Sequence, residues 1–230
     1  MLDTRMFVLW QRYISEIDNP VIPRPEAEES PAMNSAILRP SGAQDDVPGN
    51  ALEEVSRALD QLKEAGEIIS YWLIPSNEGT EFVSPVNIQP GFVAETPLTY
   101  AGAMFLKEMV KAVHREERAL GLLTYEGHFE LASNGERAVN DMVTNVWKYA
   151  QEGVLVLARL TDDQGQNYGV RVVCFDRGPG IENVERSLQH GYSSAGTRGK
   201  GLSVLAAEHV GTRNFRLANR FGHGVMVSID

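Results

Sequence analysis

Read for the spacing of apolar and polar positions, the chain alternates between helical and strand periods and contains one long stretch with neither. Phe7 to Ile17 sets Phe7, Trp10 and Ile14 at helical intervals. Ala51 to Ala65 does the same with Leu52, Val55, Leu59 and Leu62 and stops at Gly66, a residue suited to a helix C-terminus. Between them, Asn19 to Gly49 carries six prolines with glycine, serine and several acids, and reads as a linker or extended arm. Ile68 to Ile74 and Thr80 to Ile88, separated by Ser76-Asn-Glu-Gly79, predict a β-hairpin. Leu98 to Leu120 predicts a long helix. Gly135 to Ala150, with Ala138, Met142, Val146 and Ala150 in phase, predicts an amphipathic one. Val154 to Leu160 and Tyr168 to Phe175 read as paired strands, and Arg213 to Ala218 with Gly224 to Ile229 as a closing hairpin that turns at Asn219 to Gly222. Helices on one face of a mixed, mostly antiparallel sheet make an α/β two-layer sandwich, here preceded by a small N-terminal α+β part.

Three stretches follow: 1–50, an N-terminal helix and proline-rich arm; 51–90, a small helix plus β-hairpin module; and 91–230, the sandwich. A helix followed by a hairpin has the look of a winged-helix module. In its helix, however, only Arg57 and Lys63 are basic, against Glu53, Glu54, Asp60 and Glu64, which would repel phosphates. A protein-interaction or dimerisation role suits this part better. The whole chain, 230 residues with net charge −10, points the same way: a basic protein partner rather than nucleic acid or an anionic membrane. Cys174 is the only cysteine, so no internal disulfide or cysteine metal site forms, and its place in an apolar strand suggests a packing role. The five histidines show no metal-ligand spacing. No apolar run approaches a membrane span and the first residues do not form a secretory signal, so a cytoplasmic protein is expected.

Candidate chemistry lies in the second half. Asp176-Arg-Gly-Pro-Gly-Ile181 follows the apolar run Val170 to Phe175, so a strand delivers Asp176 to a sheet end, where a carboxylate can accept from an adenine amino group. Gly178 and Gly180 would let backbone approach a ligand without a Cβ in the way. Gly196-Thr-Arg-Gly-Lys-Gly-Leu202 precedes an apolar segment, Leu202 to Val210, that reads as a helix whose unpaired N-terminal amides would face a phosphate. A P-loop is excluded because Ser194 and Gly201 occupy the places of its first glycine and its hydroxyl, and too little chain remains for a dinucleotide fold. On the amphipathic helix, Asp141, Asn145 and Lys148 share one stripe at i, i+4 and i+7: a possible base, a magnesium ligand and a phosphate partner. Taken singly, the glycines read equally as tight turns and the stripe as a solvated face.

Together, in this order, these motifs resemble the GHKL (Bergerat-fold) ATP-binding domain, and within it the branch of small bacterial anti-sigma-factor kinases, over roughly Phe92 to Asp230. The resemblance sets Asp141, Thr144, Asn145, Lys148 and Tyr149 on the magnesium-binding helix. Asp176, Gly178, Pro179 and Gly180 fall on the adenine turn, and Gly199, Gly201 and Leu202 on the glycine-rich end of the ATP lid, Glu182 to Gly199. It implies ATP and Mg2+ as cofactors, with Asn145 as the metal ligand, Asp141 as the catalytic residue and Asn145, Lys148, Asp176, Gly178, Gly180, Gly196, Gly199, Lys200, Gly201 and Leu202 around ATP. The implied activity is transfer of the γ-phosphate to Ser or Thr of a partner antagonist protein, the partner being a sigma factor or its regulator. Two other functions stay open: a non-catalytic, nucleotide-sensing or protein-binding module that sequesters a regulator, and the ATP-binding half of a histidine-kinase-like system, with His114 the one candidate phospho-acceptor. Three positions depart from the family pattern. Asp141 replaces glutamate, one methylene longer; Gly222-His-Gly-Val225 replaces a glycine-threonine whose hydroxyl supports the adenine-bound water, leaving only Ser228 near; and Lys200 stands between the lid glycines.

Overall fold

The computed structural model describes residues 2–15, 49–74, 82–83, 86–89, 92–94, 98–122, 125–126, 129–130, 134–150, 152–189, 202–203, 206 and 215–230. Its helices are α1 (Leu2–Ser15), α2 (Gly49–Glu64), α3 (Tyr100–Ala119), α4 (Asn134–Asn145), continued as a π-helix over Val146–Ala150, and α5 (Val184–Ser187). Its strands are β1 (Ser70–Ile74), β2 (Phe82–Val83), β3 (Val86–Gln89), β4 (Phe92–Ala94), β5 (Leu98–Thr99), β6 (Tyr125–Glu126), β7 (Phe129–Glu130), β8 (Gly153–Thr161), β9 (Asn167–Asp176), β10 (Phe215–Arg220) and β11 (Gly224–Ile229).

One five-stranded sheet, in the order β1-β8-β9-β11-β10, organises the chain, and each of its pairings is antiparallel. Because side chains alternate across a strand, each strand feeds two cores. Leu155, Leu157, Val172, Cys174, Val227 and Ile229 point to one face, where α3 and α4 lay down Leu106, Met109, Val113, Val139, Met142 and Val143. This is the α/β sandwich of helices on an antiparallel sheet. Val154, Val156, Ala158, Val173, Phe175 and Met226 point to the other face and meet Met6, Trp10, Tyr13 and Ile14 of α1 with Val55 and Leu59 of α2. The N-terminal helices therefore add a further layer, and β8, covered on both sides, is buried without a break from Gly153 to Ala158. Each fully buried large side chain contributes roughly 1.5 to 3 kcal/mol by leaving water.

The expected hairpin between 68–74 and 80–88 does not form. Ser70–Ile74 pairs instead with β8, from Ser70 opposite Leu157 to Ile74 opposite Gly153, while β2 pairs with β5 and β3 with β4. The physical reason is the apolar character of both sides of this strand. Ile74 enters the α3/α4 core with Trp72 against it, and Tyr71 packs on the α1/α2 core, a demand that a two-stranded ribbon cannot meet. The winged-helix likeness falls with the hairpin. The helix before it is as expected: Gly66 has φ +72°, and Glu67 N–H donates to Leu62 O at 2.9 Å in a helix-ending turn. The proline-rich stretch, 16–48, lies outside the described residues, as does the 75–80 turn.

Candidate functional site

Asp176 is the last residue of β9. Its Oδ1 accepts from the backbone N–H of Gly178 at 2.9 Å and of Val225 at 3.1 Å, so one carboxylate oxygen pins the turn that follows β9 to the start of β11. Oδ2 has no hydrogen-bond partner among the described residues, and the residue keeps partial exposure, which leaves that oxygen for a ligand. Burial among the sheet ends raises the carboxyl to about 6, while the two amide hydrogen bonds pull it down. A carboxylate held at a cost in a protein interior, half engaged and half open, is the chemistry a base-reading acceptor requires.

The turn itself is fastened on three sides. Gly222 N–H donates to Pro179 O at 2.7 Å; Asn219 accepts from Ile181 N–H at 2.7 Å and donates to Ile181 O at 2.8 Å. A Cβ on Gly178 would sit 2.7 Å from Cβ of Ala150, and one on Gly180, at φ +68°, 2.6 Å from the carbonyl of Arg220. The closeness of the chain to itself thus already requires glycine at both places, in keeping with the tight-turn reading of the pair. On the third side Trp10 Nε1–H donates to the Asp176 carbonyl at 3.1 Å. Tyr13 stacks edge-on against Phe175 at 5.9 Å, and the Arg177 guanidinium lies 5.0 Å from the Tyr13 ring centre while pairing with Glu152.

The helix with the Asp141 stripe runs into the same corner. Gly153, opposite Asp176 in the β8–β9 register, lies under Val146, and Ala150 abuts Gly178, so α4 and its π-helical end run up to the turn that follows Asp176. Asp141 and Asn145 are both half-buried and keep the i, i+4 spacing on regular α-helix. Lys148 follows the change to the wider π turn, which departs from the α register behind its expected place on the stripe. Thr144 is buried, its hydroxyl donating to Asn140 O at 2.7 Å, and Asn140 Oδ1 is buried without a partner among the described residues. The oxygens of Asp141 and Asn145 are hard donors of the kind magnesium takes. Leu202 packs partly buried against the α3/α4 core. Gly196, Gly199, Lys200 and Gly201 lie outside the described residues.

Ser228 and His114, the two residues that the sequence left near these roles, are both placed away from them. Ser228 sits opposite Val173, three residues along β11 from Val225 and so roughly 10 Å away, with its buried Oγ unpartnered among the described residues. It cannot replace a hydroxyl beside Asp176. His114 is bound to Glu136 of α4 through Nδ1, a contact between helices rather than a presented phospho-acceptor. Conversely, Trp10 and Asn219 were not legible as site residues. Both act through backbone groups of the turn, and their partners, Asp176 and Ile181, are 166 and 38 residues away. Cys174 is buried, and burial followed by the nearby Asp176 charge pushes its thiol well above the ordinary range.

No family model matches the chain. Over 65 residues it is 29% identical to the serine/threonine-protein kinase RsbT of Bacillus subtilis (strain 168), a match that takes in 28% of this chain and 47% of that protein. The likeness thus spans about half the length of the curated relative. Among solved structures, the histidine kinase AdeS of Acinetobacter baumannii aligns with 100% of this chain and 96% of its own at 16% identity, with a TM-score of 0.32, too low for the likeness to carry an argument. In part of its length, then, this chain is similar to a serine/threonine-protein kinase.

Proposed function

We propose that the protein binds ATP at the corner formed by the end of β9 and the end of α4, and acts as an ATP-dependent kinase on a serine or threonine of a partner regulatory protein. The observation that carries the reading is the Asp176 carboxylate, with one oxygen spent on two backbone amides and the other without a partner among the described residues. Asp176 would accept from the adenine amino group. Asn145, with its hard oxygen, would hold Mg2+, which supplies neutralisation of phosphate charge when bound. Lys148 and the amides at Gly196, Gly199, Lys200 and Gly201 would face the phosphates. Asp141 would orient the attacking hydroxyl, a role that rests on positioning rather than covalent chemistry. The similarity to RsbT over 65 residues supports the kinase class.

Two residues favour a second reading, a nucleotide-sensing module that holds a regulator without transferring phosphate: the short arm of Asp141, and Val225, which offers only its amide where a hydroxyl would serve the base. The test is a calorimetric titration of ATP with and without magnesium, on the wild type and on Asn145→Ala, followed by phosphoryl transfer to the captured partner. The kinase reading expects magnesium-enhanced binding that Asn145→Ala abolishes, and transfer that Asp141→Asn removes. Absence of ATP binding refutes both readings. ATP binding without transfer in the wild type, Asp141→Asn or Asp141→Glu supports the module.

A further inference from the structure

The contacts of α1 converge on the one peptide whose orientation sets the direction of the Asp176 side chain. The Asp176 carbonyl lies at the end of the ladder, after the last β9–β11 pair, Met226 with Phe175. On one side it receives the Trp10 indole N–H at 3.1 Å. On another it is so close to Gly224 that a Cβ there would come within 2.2 Å. The carbonyl of the peptide from Asp176 to Arg177 thus receives an indole N–H on one side and packs against the backbone of a glycine on another. The next residue is held too, since Arg177 is gripped by Glu152 and lies against the Tyr13 ring. Trp10, Tyr13 and Ile14 are themselves buried at 2% exposure or less, so α1 docks as a rigid body and not through one flexible arm.

We propose that α1 is a built-in positioning element of the nucleotide site, with Trp10 as its positioning residue: nucleotide affinity depends on α1 being docked, because docking aims the open oxygen of Asp176. This rests on the reading of Asp176 as the adenine acceptor. Coupling of this kind is reciprocal, so if docking strengthens nucleotide binding, nucleotide must strengthen docking by the same factor. A hydrogen bond lost from a buried indole is enough to shift affinity by roughly three- to tenfold.

The experiment uses the full chain. ATP affinity is measured for the wild type and for Trp10→Phe, which keeps an aromatic ring in the core but removes the donor, and hydrogen exchange of 6–14 is followed in the wild type with and without saturating ATP. The expected result is a three- to tenfold rise in Kd for Trp10→Phe together with slower exchange across α1 when ATP is bound. The exchange measurement needs no substitution, so it stands even where Trp10→Phe fails to fold. A wild type that binds ATP without any slowing in α1 overturns the proposal, whatever the variant does, because linkage demands both effects. Slowing in α1 with unchanged affinity in a folded Trp10→Phe overturns the role of Trp10. A wild type that does not bind ATP refutes the nucleotide reading underneath, an outcome distinct from the other two.

Discussion

Replacing Asp176 by asparagine should stabilise the protein while disabling it. In the fold the carboxyl is raised from 3.8 to about 6, with burial as the largest cause, so the native state holds its proton through a pH window in which the unfolded chain has already released it. Where the native state binds more protons, stability falls as pH rises. The wild type therefore loses stability from about pH 4 to about pH 6 on account of this group and stays at the lower level above, the difference of about two units corresponding to about 3 kcal/mol. Asparagine has the same shape, its oxygen can accept from Gly178 and Val225 as Oδ1 does, and it has no charge to desolvate. Urea unfolding across the pH range should show Asp176→Asn more stable than wild type by about 1 to 3 kcal/mol near neutral pH, with the advantage vanishing towards about pH 4. Adenosine, which carries no phosphate to titrate, should bind the wild type more tightly as pH rises through about 6, and the variant weakly at every pH, by roughly 1.5 to 3 kcal/mol at neutrality. A variant less stable than wild type at neutral pH, or a stability difference flat with pH, would refute the view that burial of this carboxylate is what the native state tolerates for the sake of its ligand.

Other outcomes follow from the same corner. Gly224→Ala, which sets a Cβ 2.2 Å from the Asp176 carbonyl at φ +153°, should cost about 2 to 4 kcal/mol in denaturant unfolding, and a loss below about 1 kcal/mol would mean that the strand end gives way. Asn219→Ala removes both bonds to Ile181 and should cost about 1 to 3 kcal/mol while raising the Kd for ATP; unchanged affinity would separate the Asn219 clamp from the site. If the reach of Asp141 limits catalysis, Asp141→Glu should raise phosphoryl transfer with ATP affinity unchanged, whereas Asp141→Asn should lower kcat alone.

Helices α1 to α4 and strands β8 to β11 were legible because each is signalled by its own local period, whereas the short α5, β6 and β7 were not. The β8–β9 pair and the closing β10–β11 hairpin came with them, since short connections dictate their pairing. The partner of Ser70–Ile74 was not legible, because the choice between a near hairpin and a strand some 80 residues away is made by which cores its two faces can enter. A hint lay in Val154 to Ala158, an unbroken apolar run that an antiparallel strand shows only when both its faces are covered. The place of Asp176 at a strand end, followed by glycines, was legible in the sequence. The function of those glycines was not, for sequence cannot say that Ala150 and Arg220 come within van der Waals reach of them.

The second layer of helices also bears on how the chain is made. On a ribosome α1 and α2 emerge before β8, β9 and β11, yet the surface they cover is built from Val154, Val156, Val173, Phe175 and Met226. Their apolar sides must therefore wait for β8, β9 and β11, and β1 must wait for β8. Contacts closed over such separations form slowly and leave sticky intermediates in the interval. Synthesis of this protein should accordingly place an early demand on chaperones that bind apolar helices, and productive collapse should come late, when the closing hairpin has left the exit tunnel.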